Sequence, residues 1–178
     1  RNEIYKDYKA NRSEPPDDLA PQFDYIRKSV LAFNLPSVEL VNYEADDLIA
    51  TYVDKILEKG SKVTIVSSDK DLMQLYRKDV RIFDPMKNKF ISEEDIEKKF
   101  GVDANKVIDV QALAGDSSDN VPGVPGIGVK TAAELINKYG NLEKLLKSAH
   151  EIKQNKRRET LIENKDKAVI SKKLVTLK

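Results

Sequence analysis

The sequence predicts an α/β layer with a mostly parallel sheet flanked by helices over residues 1–106, and an all-helical region over residues 107–178. Three observations carry this. Short β-branched runs alternate with helical patterns in the first half, as in strands of one sheet covered by helices. Beyond Ile91 the apolar spacing becomes three-to-four, which is the period of a helix. Between the later helical segments lies a glycine- and proline-rich stretch, 115–128, too irregular for either element.

The elements follow in order. Arg1 to Pro21 is charged and broken by Pro15-Pro16-Asp17-Asp18. Phe23, Ile26, Val30, Leu31 and Asn34 share a helical spacing, and Pro21 is tolerated in a first turn. Val38 to Val41 reads as a short strand. A helix is expected from near Asp46, with Leu48, Ile49, Tyr52, Val53, Ile56 and Leu57 apolar, ending at Gly60. Lys62 to Val66 is a buried strand by its β-branched content. A short helix from Lys70 to about Tyr76 and a strand from Val80 to Phe83 follow. Ser92, with Asp95 three residues on, opens a helix that stops at Gly101. Further helices are expected at about 105–114, 130–139, 141–148 and from Arg157 onward.

Composition excludes several chemistries. Cysteine is absent and His150 is the single histidine, so thiolate, disulfide and zinc–histidine chemistry lack material. No apolar run approaches the roughly 18 residues needed to cross a bilayer. A cytoplasmic, monomeric protein with no membrane partner is expected. The 31 basic and 30 acidic residues nearly balance. A nucleic-acid partner therefore requires the two signs to be segregated, acids in a pocket and bases around it. A chain opening on Arg1 is expected to be a fragment of a longer product.

Three acidic clusters stand where chemistry could occur: Glu44-Ala45-Asp46-Asp47, Asp69-Lys70-Asp71 and Asp116-Ser117-Ser118-Asp119. Each has a plain alternative. The first two could cap helix starts, and the third could be a turn. Asp116 and Asp119, three apart, would share a side of a helical turn. Together, Glu44, Asp46, Asp47, Asp69, Asp71, Asp116 and Asp119 make an all-oxygen donor set. Such a set suits Mg2+ or Mn2+, and two such ions roughly 4 Å apart serve phosphodiester hydrolysis.

The segment from Val121 to Ala133 is the sharpest motif. Gly126 and Gly128 bracket Ile127 and lead into a helix with Lys130 in its first turn. Glycines there allow close approach of backbone to phosphate, and the helix start offers free N–H groups. This is the pattern of a helix-hairpin-helix, which grips DNA backbone without reading bases. A purely structural helix–helix turn is the alternative.

The order of these motifs resembles the 5′–3′ exonuclease domain of the flap-endonuclease family, as in bacterial DNA polymerase I. The likeness extends to Tyr8-Lys9-Ala10-Asn11-Arg12 and Phe83-Asp84-Pro85. It implies a PIN-like sheet domain and a 5′ nuclease acting in replication and repair on DNA with a flap, nick or overhang. It implies that Glu44, Asp46, Asp47 and Asp69 serve one metal region, and that Asp71, Asp116 and Asp119 complete a second. Lys9 and Arg12 would steer the phosphate. Gly123, Gly126, Gly128 and Lys130 would hold the duplex, with a K+ ion allowed on hairpin carbonyls. It also implies two further aspartates upstream of Arg1, so the fragment alone is expected to be inactive. A non-catalytic DNA-binding module and a related ribonuclease remain the alternative readings.

Overall fold

The computed structural model describes residues 1–177. Helix α1 spans Gln22–Ala32, and α2 spans Ala45–Glu58. Strand β1, Val63–Val66, is followed by a 3-10 turn at Asp71–Leu75 and by β2, Val80–Asp84. The sheet ends with β3, Lys89–Phe90. Eight helices in all are described, the later ones being α3 Glu93–Phe100, α4 Val107–Ala114, α5 Val129–Tyr139, α6 Leu142–Lys147, α7 Asn155–Glu163 and α8 Lys165–Val175.

The sheet is small and mixed, in the order β1-β2-β3. β1 and β2 run parallel, with Val63 opposite Val80 and Val66 opposite Phe83. β3 returns antiparallel, with Phe83 opposite Phe90. The parallel pair places the carboxyl end of β1 beside the 3-10 turn, so Asp69 and Asp71 emerge at the edge where open α/β sheets take ligands.

Local sequence explains the best-formed elements. Ser92 Oγ accepts from the Asp95 N–H at 3.2 Å, and the Ser92 N–H donates to Asp95 Oδ2 at 3.0 Å. That reciprocal pair starts α3. Gly101, at φ +72°, ends it in the left-handed region that glycine enters without strain. α4 is the hub of the core. Its Val107, Val110, Ala112 and Leu113 are fully buried, and it packs on both α5 and α8. Ala133 of α5 lies so close to Gly101 that a methyl group there would stand 2.7 Å from the Ala133 Cβ. One apolar cluster runs from Ala50 and Ile65 through α4 to Leu161 and Ala168, joining the sheet region to the helical region.

Two expectations are corrected, and a third element forms as expected but packs on nothing. Val38 to Val41 forms no strand, and Val38, Leu40 and Val41 are exposed. A strand exists only by pairing, and no described strand pairs with this run. The segment after Lys70 is a 3-10 turn rather than an α-helix. Helix α1 forms as its spacing predicts, but none of its residues is buried, because no described element covers its apolar stripe.

Candidate metal centre and nucleic-acid interface

The start of α2 divides the first acidic cluster. Asp47 faces inward and is buried. It accepts a backbone hydrogen bond from the Glu44 N–H at 3.2 Å, so the capping reading holds for this residue. Its carboxylate also receives the Arg1 guanidinium in a two-pronged bond, both contacts at 2.7 Å. Arg1 Nε donates at 2.8 Å to the Leu174 carbonyl oxygen in α8, tying the N-terminal segment to the helical region. Asp46 points instead toward the sheet edge.

There Asp46 meets the second cluster. Burial, and then the charges of Asp69, Asp71 and Glu44, hold the Asp46 carboxyl up at about 6. Asp71 is raised for a similar reason. Burial dominates and the Asp69 charge adds to it, against a hydrogen bond from the Gln111 amide to Asp71 Oδ1 at 2.6 Å. Asp69 Oδ1 accepts from the Asp71 N–H at 2.9 Å, which fixes the two side by side.

The third cluster is a closed loop, not the helical turn its spacing suggested. Asp116 and Val121 exchange backbone hydrogen bonds at 3.0 and 2.7 Å. The necks of the loop cross at Gly115 and Gly123, both in the left-handed region. A Cβ on Gly123 would stand 2.5 Å from the Gly115 nitrogen. The Gly123 N–H donates to the buried Ser171 Oγ at 2.9 Å, pinning the loop to α8. Gly123 is therefore buried at the neck, apart from the exposed hairpin tip at Gly126 and Gly128.

The loop brings Asp116 and Asp119 to the same crevice as Glu44, Asp46 and Asp71, walled by Arg1 and Tyr8. Asp119 pairs with Arg12 at 2.6 Å, and Lys9 Nζ lies 2.8 Å from Glu44 and 3.5 Å from Asp119. The Tyr8 hydroxyl is shared between Glu44 and Asp119, each at 3.3 Å. Burial first, then those two carboxylates, push the Tyr8 hydroxyl pKa upward, so it remains a donor. Lys70 pairs with Asp116. Burial opposes ionisation of Asp116, but Lys70 and the Ser118 hydrogen bonds outweigh it and hold its carboxyl below the usual range.

All seven predicted carboxylates thus lie in or beside one crevice, with Lys9 and Arg12 on its rim. Lys130 and the hairpin tip stand elsewhere, at the start of α5. Sequence reading missed Arg1, Tyr8, Lys70 and Gln111. Their roles depend on partners 36 to 111 residues away in the cases of Tyr8, Arg1 and Gln111, and no local pattern carries that signal.

Divalent ions suit this donor set. Its ligating atoms are all oxygens, and Asp46 is raised by burial and by three neighbouring carboxylates, a combination that a bound cation relieves. Among the described residues, however, no three acidic side chains are spaced to hold an ion as they stand. Four are instead turned onto Arg1, Lys9, Arg12 and Lys70. Asp46, Asp69 and Asp71 lack such a cation and are the residues most ready to take one.

The chain is similar to known proteins along its whole length. The family model of the 5′–3′ exonuclease N-terminal resolvase-like domain matches residues 1–101, and that of the 5′–3′ exonuclease C-terminal SAM fold matches residues 102–178. DNA polymerase I of Rhizobium leguminosarum is 55% identical over 178 residues, covering all of this chain and 18% of that protein. The 5′–3′ exonuclease of Aquifex aeolicus is 45% identical over 148 residues, 83% of this chain and 51% of its own length. The chain spans about a fifth of the DNA polymerase I relatives it matches. Among solved structures, T5 5′-exonuclease with bound zinc superposes with a TM-score of 0.87 at 26% identity, over 99% of this chain and 69% of that one. Bacteriophage T5 D15 flap endonuclease, in a pseudo-enzyme-product complex with DNA and metal ions, gives 0.85 at 25% over the same shares.

Proposed function

Because the chain belongs to the 5′–3′ exonuclease family in both its resolvase-like and its SAM-fold part, we propose that it is the nuclease region of a DNA polymerase I and hydrolyses phosphodiesters near the 5′ end of flapped, nicked or overhanging DNA. The observation that carries this is the convergence of carboxylates from three separate segments on one crevice, with Asp46 held up at about 6 by burial and its acidic neighbours. Uncompensated charge of that kind is costly to a fold and is kept where a cation is to be bound.

The chain's own residues divide the work. Asp46, Asp69 and Asp71 would hold one Mg2+ or Mn2+, and Glu44, Asp116 and Asp119 a second. Asp47, spent on Arg1 and on the α2 cap, sets the direction of that helix start. A bound divalent ion supplies the Lewis acidity that phosphodiester hydrolysis needs. Lys9 and Arg12 sit on the rim and now pair with Glu44 and Asp119. An incoming phosphate offers them a stronger acceptor, so they exchange carboxylate for phosphate and orient it. The hairpin holds the duplex, with K+ fitting its carbonyls, and the protein acts as a monomer in the cytoplasm.

The test uses the domain extended upstream of Arg1. Asp46→Asn and Asp69→Asn should each lower Mg2+-dependent cleavage of a 5′-flap DNA by about a hundredfold or more, at or beyond the roughly 10–100-fold that losing even an outer-shell partner of a metal costs, while affinity for the same DNA in Ca2+ stays within a few-fold. Undiminished turnover in both variants would sink the reading.

A further inference from the structure

Gln111 is a polar side chain in the helix at the middle of the core. Its neighbours in α4, Val110, Ala112 and Leu113, are fully buried apolar residues, and Gln111 itself is 5% exposed. Its amide nitrogen donates to Asp71 Oδ1 at 2.6 Å. Its amide oxygen is buried and meets no donor among the described residues. An apolar side chain at this position would leave no such orphan, so the bond to Asp71 is what the amide contributes. We propose that Gln111 is a positioning residue for the nuclease reaction, fixing the Asp71 carboxylate with one oxygen held and the other left free for a divalent ion. The proposal rests on the reading of Asp71 as a metal-holding residue and adds the group that aims it.

The rest of the structure fixes Asp71 along its backbone. Its N–H donates to Asp69 Oδ1 at 2.9 Å, and its carbonyl oxygen accepts from the Gln74 amide at 2.9 Å. Gln74 also donates to the Val175 carbonyl oxygen at 3.1 Å and accepts from the Leu177 N–H at 3.2 Å, which straps the turn to the end of α8. None of these bonds restrains the side-chain torsions of Asp71. Gln111 supplies that restraint, and Asp71 Oδ2 takes no bond among the described residues.

A neutral donor suits this task. Four acids in or beside the crevice, Glu44, Asp47, Asp116 and Asp119, are held by cations. A cation beside a carboxylate competes with a metal ion for it. An amide orients the carboxylate and leaves its charge whole. Gln111 also joins two of the clusters. Its backbone carbonyl oxygen accepts from the Gly115 N–H at 2.8 Å, where the loop of the third cluster begins. One residue therefore holds Asp71 by its side chain and the neck of the Asp116–Asp119 loop by its backbone.

The experiment replaces Gln111 with methionine, which keeps the length of the side chain and adapts to a packed interior, in the domain extended upstream of Arg1. Gln111→Leu serves as a second apolar replacement. Mn2+ binding is titrated by the paramagnetic resonance signal of the free ion, and cleavage of a 5′-flap DNA is followed across an Mg2+ series. Both variants should weaken Mn2+ binding about tenfold and raise the half-saturating Mg2+ concentration by a similar factor, within the roughly 10–100-fold that an outer-shell partner of a metal is worth. Excess Mg2+ should restore kcat, with KM for the DNA unchanged. The metal-free melting temperature should stay within about 4 °C of the parent, because the variants also remove the buried orphan oxygen. Melting temperature and cleavage that fall together, with no recovery in excess Mg2+, would make Gln111 a packing residue and overturn the proposal. Parental Mn2+ affinity in both variants overturns the positioning role alone. A parent that binds no Mn2+ overturns it together with the metal-holding reading of Asp71.

Discussion

Burial first, and then the charges of Asp69, Asp71 and Glu44, hold the Asp46 carboxyl up, and its protonation should set how stability depends on pH. An ordinary aspartate titrates at 3.8, and this one at about 6. Between those values the folded chain holds a proton that the unfolded chain has released, so stability falls as pH rises through that window and stays low above it. Asp71, raised mainly by burial, has the same sign. Asp116 has the opposite one, its contribution being present at neutral pH and lost as pH falls through its depressed value. For Asp46 the cost at pH 8 is about 1–2 kcal/mol, after allowing for solvent around a half-buried group. Urea unfolding of metal-free protein at about pH 5 and pH 8 should show roughly half of this drop, the rest falling between 3.8 and pH 5, and Asp46→Asn should remove most of it. An equal drop in the variant would refute the assignment.

Arg1 offers a second expectation at the same scale. It and Asp47 are both buried, with side-chain exposures of 7% and 3%, and they bind in two parallel contacts. Removing one partner strands the other charge in the interior. Arg1→Met should therefore destabilise the fold by about 3 kcal/mol or more, while Arg1→Met with Asp47→Leu should recover much of it. A thermal melt of the three proteins decides the matter, since additive losses would mean that the pair is not coupled.

Among the elements, legibility in the sequence tracked how local the determining forces are. α3 was readable because Ser92, Asp95 and Gly101 settle its two ends within ten residues. β1 and β2 were readable from their β-branched runs. The Val38–Val41 run was not, because apolar content marks a strand only where a partner lies alongside, and β3 was too short at two residues to leave a pattern. The acidic clusters stood out as motifs, whereas the cations that now occupy them come from distant segments. Helix α1 makes the same point from the other side. Its spacing was sufficient to foresee a helix, but it buries no residue. Eleven residues without packing make a marginal helix in water. Amide hydrogens of 23–32 should therefore exchange orders of magnitude faster than those of the fully buried α4, whose opening approaches global unfolding. Equal protection in the two helices would mean that α1 is covered in solution.

Over the whole molecule, the arrangement segregates charge despite a net charge of +1. Five acids line one crevice at the carboxyl edge of the sheet, where Arg1, Lys9, Arg12 and Lys70 gather around them. One apolar core runs from the sheet region through α4 to the later helices.

The crossing of Gly115 and Gly123 has a consequence for how this protein can vary. The two necks of the acidic loop occupy the same narrow space, leaving no room for even one methyl group on either side. Substitution at one cannot be relieved by substitution at the other, since any side chain adds bulk to a space that is already full. The tip, with Ser117 and Ser118 exposed, is under no such restraint. A library randomised across residues 115–123 should therefore return a diverse tip on an invariant neck, so that the loop's chemistry is open to change while the place where it delivers its aspartates is not.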